Sequence, residues 1–414
     1  MSKKKMEPEV RFEGFESKWK IKLLSEFLTF SNGINAPKES YGKGRKMISV
    51  MDILDDVLLR YEGIRNSVSV KEEIENNSRV DKGDLVFVRS SEVVNEVGWA
   101  KAYLDEKYAL YSGFSIRGKR INKYYALFLE LTINEKARKQ IESRSGGSTR
   151  FNVSQSILNE LKVIMPDLDE QKEIGRLFKT LNTNINSHQH KLTKLNSIKQ
   201  AMLQKMFPKE GEKEPEVRFE GFSGEWNQLK IEDLITKGGS GGTPTSTNPA
   251  FYGGDIPFLS ISDISKSNGI VTQTEKTITK KGLESSSAYL IPKGSVSLAM
   301  YASVGKVAIL GIDTTTSQAF YNMEFDSKEL AEYVFAYLTK VELENGWKKM
   351  ISTGTQANLN ANKVKNFELF VPNRKELIKI SEYFVALNKL ITSKQSELEK
   401  LKQFKRAMLQ RIFA

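Results

Sequence analysis

Cysteine is absent from this chain of 414 residues, and histidine occurs only at His188 and His190. Without cysteine there are no disulfides, thiolate nucleophiles or zinc-thiolate sites, a composition compatible with a reducing cytoplasm. Both histidines fall in the middle of a predicted helix, which argues against a histidine general base or a pair of metal ligands. No apolar run approaches the ~20 residues that a membrane helix needs. We therefore expect a cytoplasmic protein with no metal site and no membrane partner.

A surplus of basic residues is the main feature of the composition. Lys and Arg number 63 against 51 Asp and Glu, so the formal net charge is +12 and the pI is near 9.3. Such a surplus is typical of proteins that bind a polyanion such as nucleic acid. Hydrophobic residues make up 39% of the chain, which is enough for ordinary cores, and the length predicts two or more domains.

The chain contains one unit twice. The string Glu-Pro-Glu-Val-Arg-Phe-Glu-Gly-Phe occupies 7–15 and 214–222, and a tryptophan follows each copy, at Trp19 and Trp226. A second matched pair, 199–207 and 405–413, ends the two halves. The sequences between these ends differ. Because the period is far longer than that of a solenoid repeat, we infer a tandem duplication of a domain, with a common frame and two different binding modules.

Each half divides into a mixed region and a long polar helix. Short β-branched and aromatic runs separated by Gly, Asn, Ser and Pro predict α/β globules, and Pro166 and Pro372 separate each globule from its helix. The predicted fold class is α+β, with two globules separated by an antiparallel coiled coil of two long helices. The predicted boundaries are repeated segments at 1–20 and 209–227, globules at 21–166 and 228–372, and spacer helices at 167–208 and 373–414.

The apolar positions of both helices recur at steps of three and four, which predicts a coiled-coil seam. His188 corresponds to Lys394 and Lys199 to Lys405, so polar residues interrupt both seams at the same two steps and are expected to specify register. An antiparallel pair would give an internal pseudo-twofold axis and place the C-terminus beside the first globule. The alternative, in which each helix packs on its own globule, stays open. The seam positions are Ile174, Phe178, Leu181, Ile185, Leu192, Leu195, Met202 and Met206, and then Ile380, Phe384, Leu387, Ile391, Leu398, Leu401, Met408 and Ile412.

Recognition of DNA requires side chains that reach base edges, surrounded by groups that bind phosphates. We predict that loops supply them, foremost the Gly/Thr/Asn loop just before each helix. Two globules on one face of a duplex would contact half-sites about one helical turn, ~34–36 Å, apart. In the first globule the candidates are Lys43, Arg45, Lys46, Arg89, Ser90, Ser91, Arg144, Thr149, Arg150 and Asn152. In the second they are Thr243, Thr245, Ser246, Thr247, Asn248, Tyr252, Tyr301, Ser303, Thr353, Thr355, Gln356 and Asn358.

Three strings imitate catalytic motifs. Asn248–Phe251 approaches the Asn-Pro-Pro-Phe box of amino-methyltransferases, but its third residue differs and no clear cofactor-binding glycine motif accompanies it. The carboxylates of Asp167 and Glu170 resemble part of a nuclease metal site, although they are better explained by a helix N-terminus. The cluster at 238–242 lacks the ending of a P-loop and follows no clear strand, so a flexible loop is expected.

Two stretches resemble the DNA-specificity subunits of type I restriction-modification systems. The stretch at 241–258 is similar to the opening of many target recognition domains, and the stretch at 166–174 is similar to the family's helix entry. Two departures stand out. The second helix entry, at 372–378, lacks the Glu-Gln pair, and the first globule has 35–38 and 42–45 in place of the Gly-Gly-Thr-Pro motif.

The resemblance implies a non-catalytic subunit that recognises a bipartite, asymmetric DNA site, with one globule for each half. It also implies two modification subunits, which use S-adenosylmethionine to methylate adenine, and restriction subunits, which use ATP and Mg²⁺ for translocation and cleavage. No cofactor is expected on this chain itself.

Two other classes of function stay open. A coiled-coil scaffold could bind protein partners through its helices and globules, and strongly salt-dependent binding to duplex DNA would argue against it. A stand-alone DNA methyltransferase or nuclease would be active as a purified chain, with S-adenosylmethionine or magnesium alone.

Overall fold

The computed structural model describes residues 8–147, 149–301, 303–351 and 359–413. The chain forms two compact units: unit 1 contains the residues up to Gln189 together with those from Glu397 onward, and unit 2 is His190–Ser396. Each unit therefore combines one globule with a part of each long helix. The C-terminal helix segment belongs to the unit of the first globule, as the circular arrangement of the chain predicts.

The first globule is built from short strands and helices. Its strands are β1 (Lys20–Leu23), β2 (Leu28–Asn32), β3 (Tyr41–Ile48), β4 (Asn66–Val68), β5 (Leu85–Val88), β6 (Ser90–Ser91), β7 (Ala100–Ala102), β8 (Leu110–Tyr111), β9 (Ser115–Arg120), β10 (Phe151–Asn152) and β11 (Lys162–Met165). Its helices are α1 (Val50–Leu54), α2 (Glu72–Asn77), α3 (Ala126–Glu135), α4 (Arg138–Glu142) and α5 (Gln155–Asn159), with 3-10 turns at Leu24–Glu26, Lys38–Ser40 and Tyr61–Gly63.

Two sheets organise this globule. The larger sheet has the order β2-β9-β5-β7 and is antiparallel, and the smaller sheet has the order β4-β3-β8, in which β3 and β8 are parallel. The first and last strands, β1 and β11, pair antiparallel with Lys20 opposite Met165. The globule thus begins and ends at one place, directly before the first long helix.

The second globule has the same plan. Its strands are β12 (Asn227–Lys230), β13 (Lys237–Ser240), β14 (Tyr252–Leu259), β15 (Ile270–Val271), β16 (Lys276–Ile278), β17 (Val296–Ala299), β18 (Val307–Leu310), β19 (Thr315–Thr316), β20 (Phe320–Glu324) and β21 (Glu368–Val371). The helices of the two units are completed by α6 (Leu168–Lys205), α7 (Ile231–Leu234), α8 (Ile261–Lys266), α9 (Lys280–Glu284), α10 (Lys328–Leu343), α11 (Ala361–Lys365) and α12 (Arg374–Ile412), with 3-10 turns at Pro249–Phe251 and Gly346–Lys349.

Sheet orders in unit 2 match those of unit 1, except that the larger sheet has a fifth strand, β15, which is parallel to β18. The larger sheet is β13-β20-β17-β18-β15, the smaller is β16-β14-β19, and β12 pairs with β21. β14 and β19 are parallel, as β3 and β8 are. The middles of the two halves, which differ in sequence, therefore share one backbone design. The predicted fold class, with two mixed globules and two long helices, is confirmed.

Within each unit the two helix segments run antiparallel. In unit 1 the start of α6 and the end of α12 share a core, since Ile174 and Phe178 pack in the same cluster as Ile412. In unit 2 the end of α6 and the start of α12 do the same, through Met206 and Ile380. All predicted seam positions are buried or half-buried.

The ends of the long helices also pack on the globules. Trp19 lies edge to face with Phe128 of α3 and with Phe413, with ring centroids 5.8 and 6.2 Å apart. In unit 2, Phe207 contacts Trp226 at 6.4 Å and stacks on Phe384 at 5.7 Å. The two packing modes that the sequence left as alternatives thus coexist, because the repeated tryptophan segment lies between helix and globule.

A buried ion pair fastens each repeated segment to its helix. Arg11 donates to both carboxylate oxygens of Glu170 at 2.7 Å, and Arg218 donates to those of Glu376 at 2.6 and 2.9 Å. Glu170 and Glu376 are fully buried. Of the Glu-Gln pair that the second helix entry lacks, the glutamate is thus kept, since Glu376 takes the place of Glu170. The glutamine is replaced by Leu377, which packs in the core of unit 2.

The glycine motifs also align differently from the prediction. Gly33 and Gly241 are equivalent, because a Cβ on either would lie about 2 Å from a backbone oxygen, that of Ser112 or Thr316. The stretch at 42–45 is instead part of a β-bulge, which recurs between Tyr252 and Ile256 in unit 2. The cluster at 238–242 is not a flexible loop, since its first part is strand β13.

Candidate nucleic-acid interface

The first basic group lies on a strand and not on the predicted loop. Lys43, Arg45 and Lys46 belong to β3, where Gly42 and Gly44 adopt φ of 82° and 80° and form the bulge. Glycine is typical of turns because it adopts positive φ readily, so the sequence of this segment predicts a loop.

Only one member of this group is available for a ligand. Arg45 donates to Glu75 at 3.0 Å and to the Tyr108 hydroxyl at 2.7 Å, and Lys46 donates to the carbonyl of Ile64 at 2.7 Å. The hydrogen bonds from Tyr108 and Arg45 lower the pKa of Glu75, so that pair is charged. Lys43 is exposed and has no hydrogen-bond or ion-pair partner among the described residues.

Two predicted segments of unit 1 come together in a two-stranded ribbon. β6 pairs antiparallel with β10, with Phe151 opposite Ser91 and Asn152 opposite Ser90. The backbone N–H of Val153 donates to the carbonyl of Arg89 at 3.0 Å and continues this ribbon. Asn152 is exposed and Ser90 is half-buried. The predicted candidates Arg89–Ser91 and Arg150–Asn152 thus form one site, although each was proposed on its own.

A residue that the sequence did not single out completes this site. The turn Ser112–Ser115 is closed by a hydrogen bond from the Ser115 N–H to the Ser112 carbonyl at 2.9 Å, and the Phe114 carbonyl accepts from the Arg89 N–H at 2.9 Å. The Phe114 ring is 55% exposed, and the Arg150 guanidinium lies 5.9 Å from its centroid. The sequence signal that could have identified Phe114 is an aromatic residue in a turn between two strands.

The other candidates of the first globule lie at the edge of this site. Arg144 is exposed and lies 3.6 Å from Glu160, so it is partly occupied within its own unit. Thr149 is exposed in the loop that precedes β10. The Ser91 hydroxyl donates to Glu96 at 2.6 Å and also accepts from the Val93 N–H, which gives it a role in the local turn.

In unit 2 the stretch at 243–252 is well ordered by its own hydrogen bonds. Thr243 donates to Gln318 at 2.6 Å, Asn248 caps the 3-10 turn Pro249–Phe251, and the Tyr252 hydroxyl donates to the carbonyl of Pro244 at 2.7 Å. Tyr252 begins strand β14 and does not lie in a loop. The three remaining candidates, which are exposed, are Thr245, Ser246 and Thr247.

Tyr301 and Ser303 of unit 2 lie at and next to the place that β6 takes in unit 1. The Leu359 N–H donates to the Met300 carbonyl at 3.0 Å, as Val153 does to Arg89 in unit 1, so Tyr301 corresponds to Ser90. Tyr301 and Ser303 are exposed. Thr353, Thr355, Gln356 and Asn358 lie outside the described residues.

The motifs that imitated catalytic sites have structural partners. Asp167 accepts a hydrogen bond from Ser17 at 2.6 Å, and Glu170 is held by Arg11. Across the described ranges, no group of three or more His, Asp or Glu side chains is placed to hold a metal ion. Nor does any helix in the described part of the chain have the length and apolar character to cross a bilayer.

Both sites present hydrogen-bond donors and acceptors on fixed backbone. Unit 1 offers guanidinium, amide and hydroxyl groups beside an exposed ring, and unit 2 offers the exposed hydroxyls of its 245–247 stretch and those of Tyr301 and Ser303. Such groups suit base edges and phosphates, because guanidinium pairs with guanine and phosphate while amides pair with adenine.

Comparisons with known proteins agree on one family. The family model for the type I restriction modification DNA specificity domain matches residues 16–197 and again residues 223–403. The type I restriction enzyme MjaIX specificity subunit of Methanocaldococcus jannaschii is 31% identical over 181 residues, which cover 43% of this chain and 41% of that protein. The HindI specificity subunit of Haemophilus influenzae is 25% identical over 173 residues, 42% of this chain and 38% of that protein. The chain spans about two fifths of the length of both relatives.

The fold is also similar to a solved structure over its full length. The crystal structure of the type I restriction-modification S subunit from M. genitalium superimposes with a TM-score of 0.65, and the match covers 99% of both chains at 12% identity. This likeness extends the comparison of folds to both globules and both helices.

Proposed function

This chain belongs to the family of type I restriction-modification DNA specificity proteins, and on that premise we propose that it is the subunit that selects the DNA sequence in a type I restriction-modification complex. Each globule recognises one half of a bipartite, asymmetric site. The chain itself performs no chemistry.

One observation carries this proposal. Two segments that are about 60 residues apart in sequence, 89–91 and 150–152, meet in a ribbon of polar and cationic side chains, and in unit 2 Tyr301 stands at the place of Ser90. A shared backbone with different exposed side chains is what two half-sites of different sequence require. The net charge of +12 supports binding to phosphates.

The partners follow from the family. We propose that two modification subunits with S-adenosylmethionine, and restriction subunits with ATP and Mg²⁺, assemble with this chain in the cytoplasm. The two equivalent helix entries, with Glu170 and Glu376 at the same position, favour two equivalent attachments of the modification subunit. The difference between Gln171 and Leu377 is confined to buried positions and does not change the exposed surface there.

The experiment is an exchange of globules in the complete complex. Residues 21–165 are replaced by the first globule of another family member, and methylated adenines are mapped in a genome that expresses the complex. We expect one half of the recognised sequence to change and the other to stay. A change in both halves, or methylation with no sequence preference, would contradict the proposal. An exchange of 228–372 is the matched control and should change the other half only.

A further inference from the structure

The Phe114 ring is an exposed aromatic group inside the polar and cationic site of unit 1. We propose that this ring contacts the 5-methyl group of a thymine in the major groove and is a specificity-determining residue of the first globule. The inference rests on the proposed function, that is, on this face binding duplex DNA.

The position of the ring is fixed by its backbone. The Phe114 carbonyl accepts from the Arg89 N–H at 2.9 Å, and the Gly113 N–H donates to the Ile34 carbonyl at 2.8 Å. Gly113 is also tightly packed, because a Cβ there would lie 1.9 Å from the Asn35 side-chain oxygen. The ring therefore projects from a rigid turn, and rigid placement lowers the entropy that binding must overcome.

The surroundings of the Phe114 ring favour a DNA base as the group that it contacts. Arg150 lies over the ring at 5.9 Å, and Arg89 donates to the Gly113 carbonyl at 3.4 Å. These two guanidinium groups give the site the charge that phosphates require. The adjacent β6–β10 ribbon has two strands, a width that the major groove admits. A phenyl ring has no donor or acceptor, so the base feature that it distinguishes in that groove is the thymine methyl group.

Unit 2 shows that the fold does not need an aromatic residue at this place. There the Ala319 carbonyl accepts from the Met300 N–H at 2.7 Å, and the Phe320 N–H donates to the Ser317 carbonyl at 3.2 Å. The same turn thus forms with alanine in the position of Phe114. The ring is therefore present in the first globule and absent from the equivalent turn of the second. Because that turn forms with alanine, Phe114→Ala is expected to fold.

The test uses the complex of the full chain with its modification subunits, and duplexes that carry its mapped site. Each thymine of the site, on either strand, is replaced in turn by deoxyuracil, which removes only the methyl group. For the unaltered chain we expect one such duplex to bind about fourfold more weakly, the change expected from one buried methyl group. The complex with Phe114→Ala should bind this duplex and the thymine duplex equally, and Phe114→Leu should keep part of the preference.

Ile121→Ala is the matched control, since Ile121 is 54% exposed on the same globule but lies outside the site. It should leave the preference for thymine unchanged. The inference is overturned if no thymine of the site shows a methyl preference, or if Phe114→Ala keeps it. It is also overturned if Phe114→Ala weakens binding to the thymine and uracil duplexes equally. A complex with no bipartite sequence preference at all would overturn the proposed function instead.

Discussion

Lys43 and Arg45 lie two residues apart on strand β3, but their side chains have different surroundings. Arg45 is held by Glu75 and Tyr108, with its guanidinium 4.1 Å from the centroid of the tyrosine ring. Lys43 is exposed, with no described partner. The same basic cluster therefore contains one residue that stabilises the globule and one that is available to a phosphate.

We predict that Lys43→Ala weakens DNA binding to all sequences alike and lowers the slope of log affinity against log salt by about one, as loss of a single phosphate contact requires. Arg45→Ala should instead lower the stability of the first globule and leave the salt slope unchanged. Titrations of the modification complex at several salt concentrations measure the first effect, and thermal unfolding measures the second. An unchanged slope for Lys43→Ala would place this residue outside the contact surface.

The two buried ion pairs differ in one hydrogen bond. The Trp19 indole N–H donates to Glu170 at 3.2 Å, whereas the buried indole N–H of Trp226 has no described partner. Removal of Arg218 would leave the Glu376 carboxylate, which is fully buried, without its main partner. Removal of Arg11 would leave Glu170 with the indole.

We therefore predict that Arg218→Ala costs unit 2 about 3–5 kcal/mol, the usual penalty for breaking a buried pair. Arg11→Ala should cost unit 1 less, by about 1.5 kcal/mol, because one hydrogen bond to the charged group remains. Hydrogen exchange of the buried strands reports the local stability of each unit separately. Equal losses in both units would show that the tryptophan bond contributes nothing.

At the scale of elements, the second polar interruption of each helix seam, Lys199 or Lys405, faces a carboxylate on a globule. Lys199 of α6 faces Glu342 of α10: burial lowers the pKa of Lys199, and burial raises the pKa of Glu342 against the opposing charges of Lys306 and Lys199. In unit 1, burial raises the pKa of Glu135 against the charge of Lys405. These lysines thus meet the last turn of a globule helix, which differs from the expected role in helix pairing alone.

The raised pKa of Glu342 predicts a pH dependence. Its proton binds more strongly in the folded chain, so this contribution to stability is fully present below the unfolded value of about 4.5 and is lost as the pH rises through the folded value. Glu342→Gln removes the titrating carboxyl group and, with it, this loss of stability at higher pH. The difference in urea midpoint, variant minus unaltered chain, should therefore increase from pH 4.5 to pH 7. Glu284→Gln, at a side chain that is 63% exposed, is the control and should show no such trend. A constant difference for Glu342→Gln would contradict the assignment.

The long helices were predictable from sequence and the ribbon was not. The apolar steps of α6 and α12 repeat in register, and a helix of that length is fixed by local periodicity. The β6–β10 ribbon has only two residues on each side, and its partners are far apart in sequence, so no local pattern reveals it. The bulge of β3 was hidden for the opposite reason, since Gly42 and Gly44 suggest a loop when they in fact bend a strand.

The likeness of the two globules was also hidden from the sequence. What the middles share is a set of buried positions and backbone hydrogen bonds, such as the capping boxes of Ser49 with Asp52 and of Ser260 with Asp263. These pairs serve the same turn in both globules while their neighbours differ. Such scattered residues come into correspondence only in the folded chain.

At the scale of the whole molecule, the two helices have nearly the same length, 38 and 39 residues. The first turn of each helix holds a buried ion pair with a repeated segment, and just past the last turn a phenylalanine, Phe207 or Phe413, packs against the repeated tryptophan. Equal, continuous helices anchored at both ends suit a spacer between two recognition modules, and we propose that they set the gap between the half-sites.

The prediction is that four residues inserted into both helices, in the polar gaps 186–191 and 392–397, change the gap and not the half-sequences. One added turn lengthens a helix by about 6 Å, which corresponds to almost two base pairs of duplex at ~3.4 Å each. Methylation mapping should therefore show both half-sequences unchanged, with a gap longer by one or two base pairs. Substitution of four residues in the same gaps without insertion is the control and should keep the original gap. An original gap in the lengthened protein would mean that something other than the helices determines it.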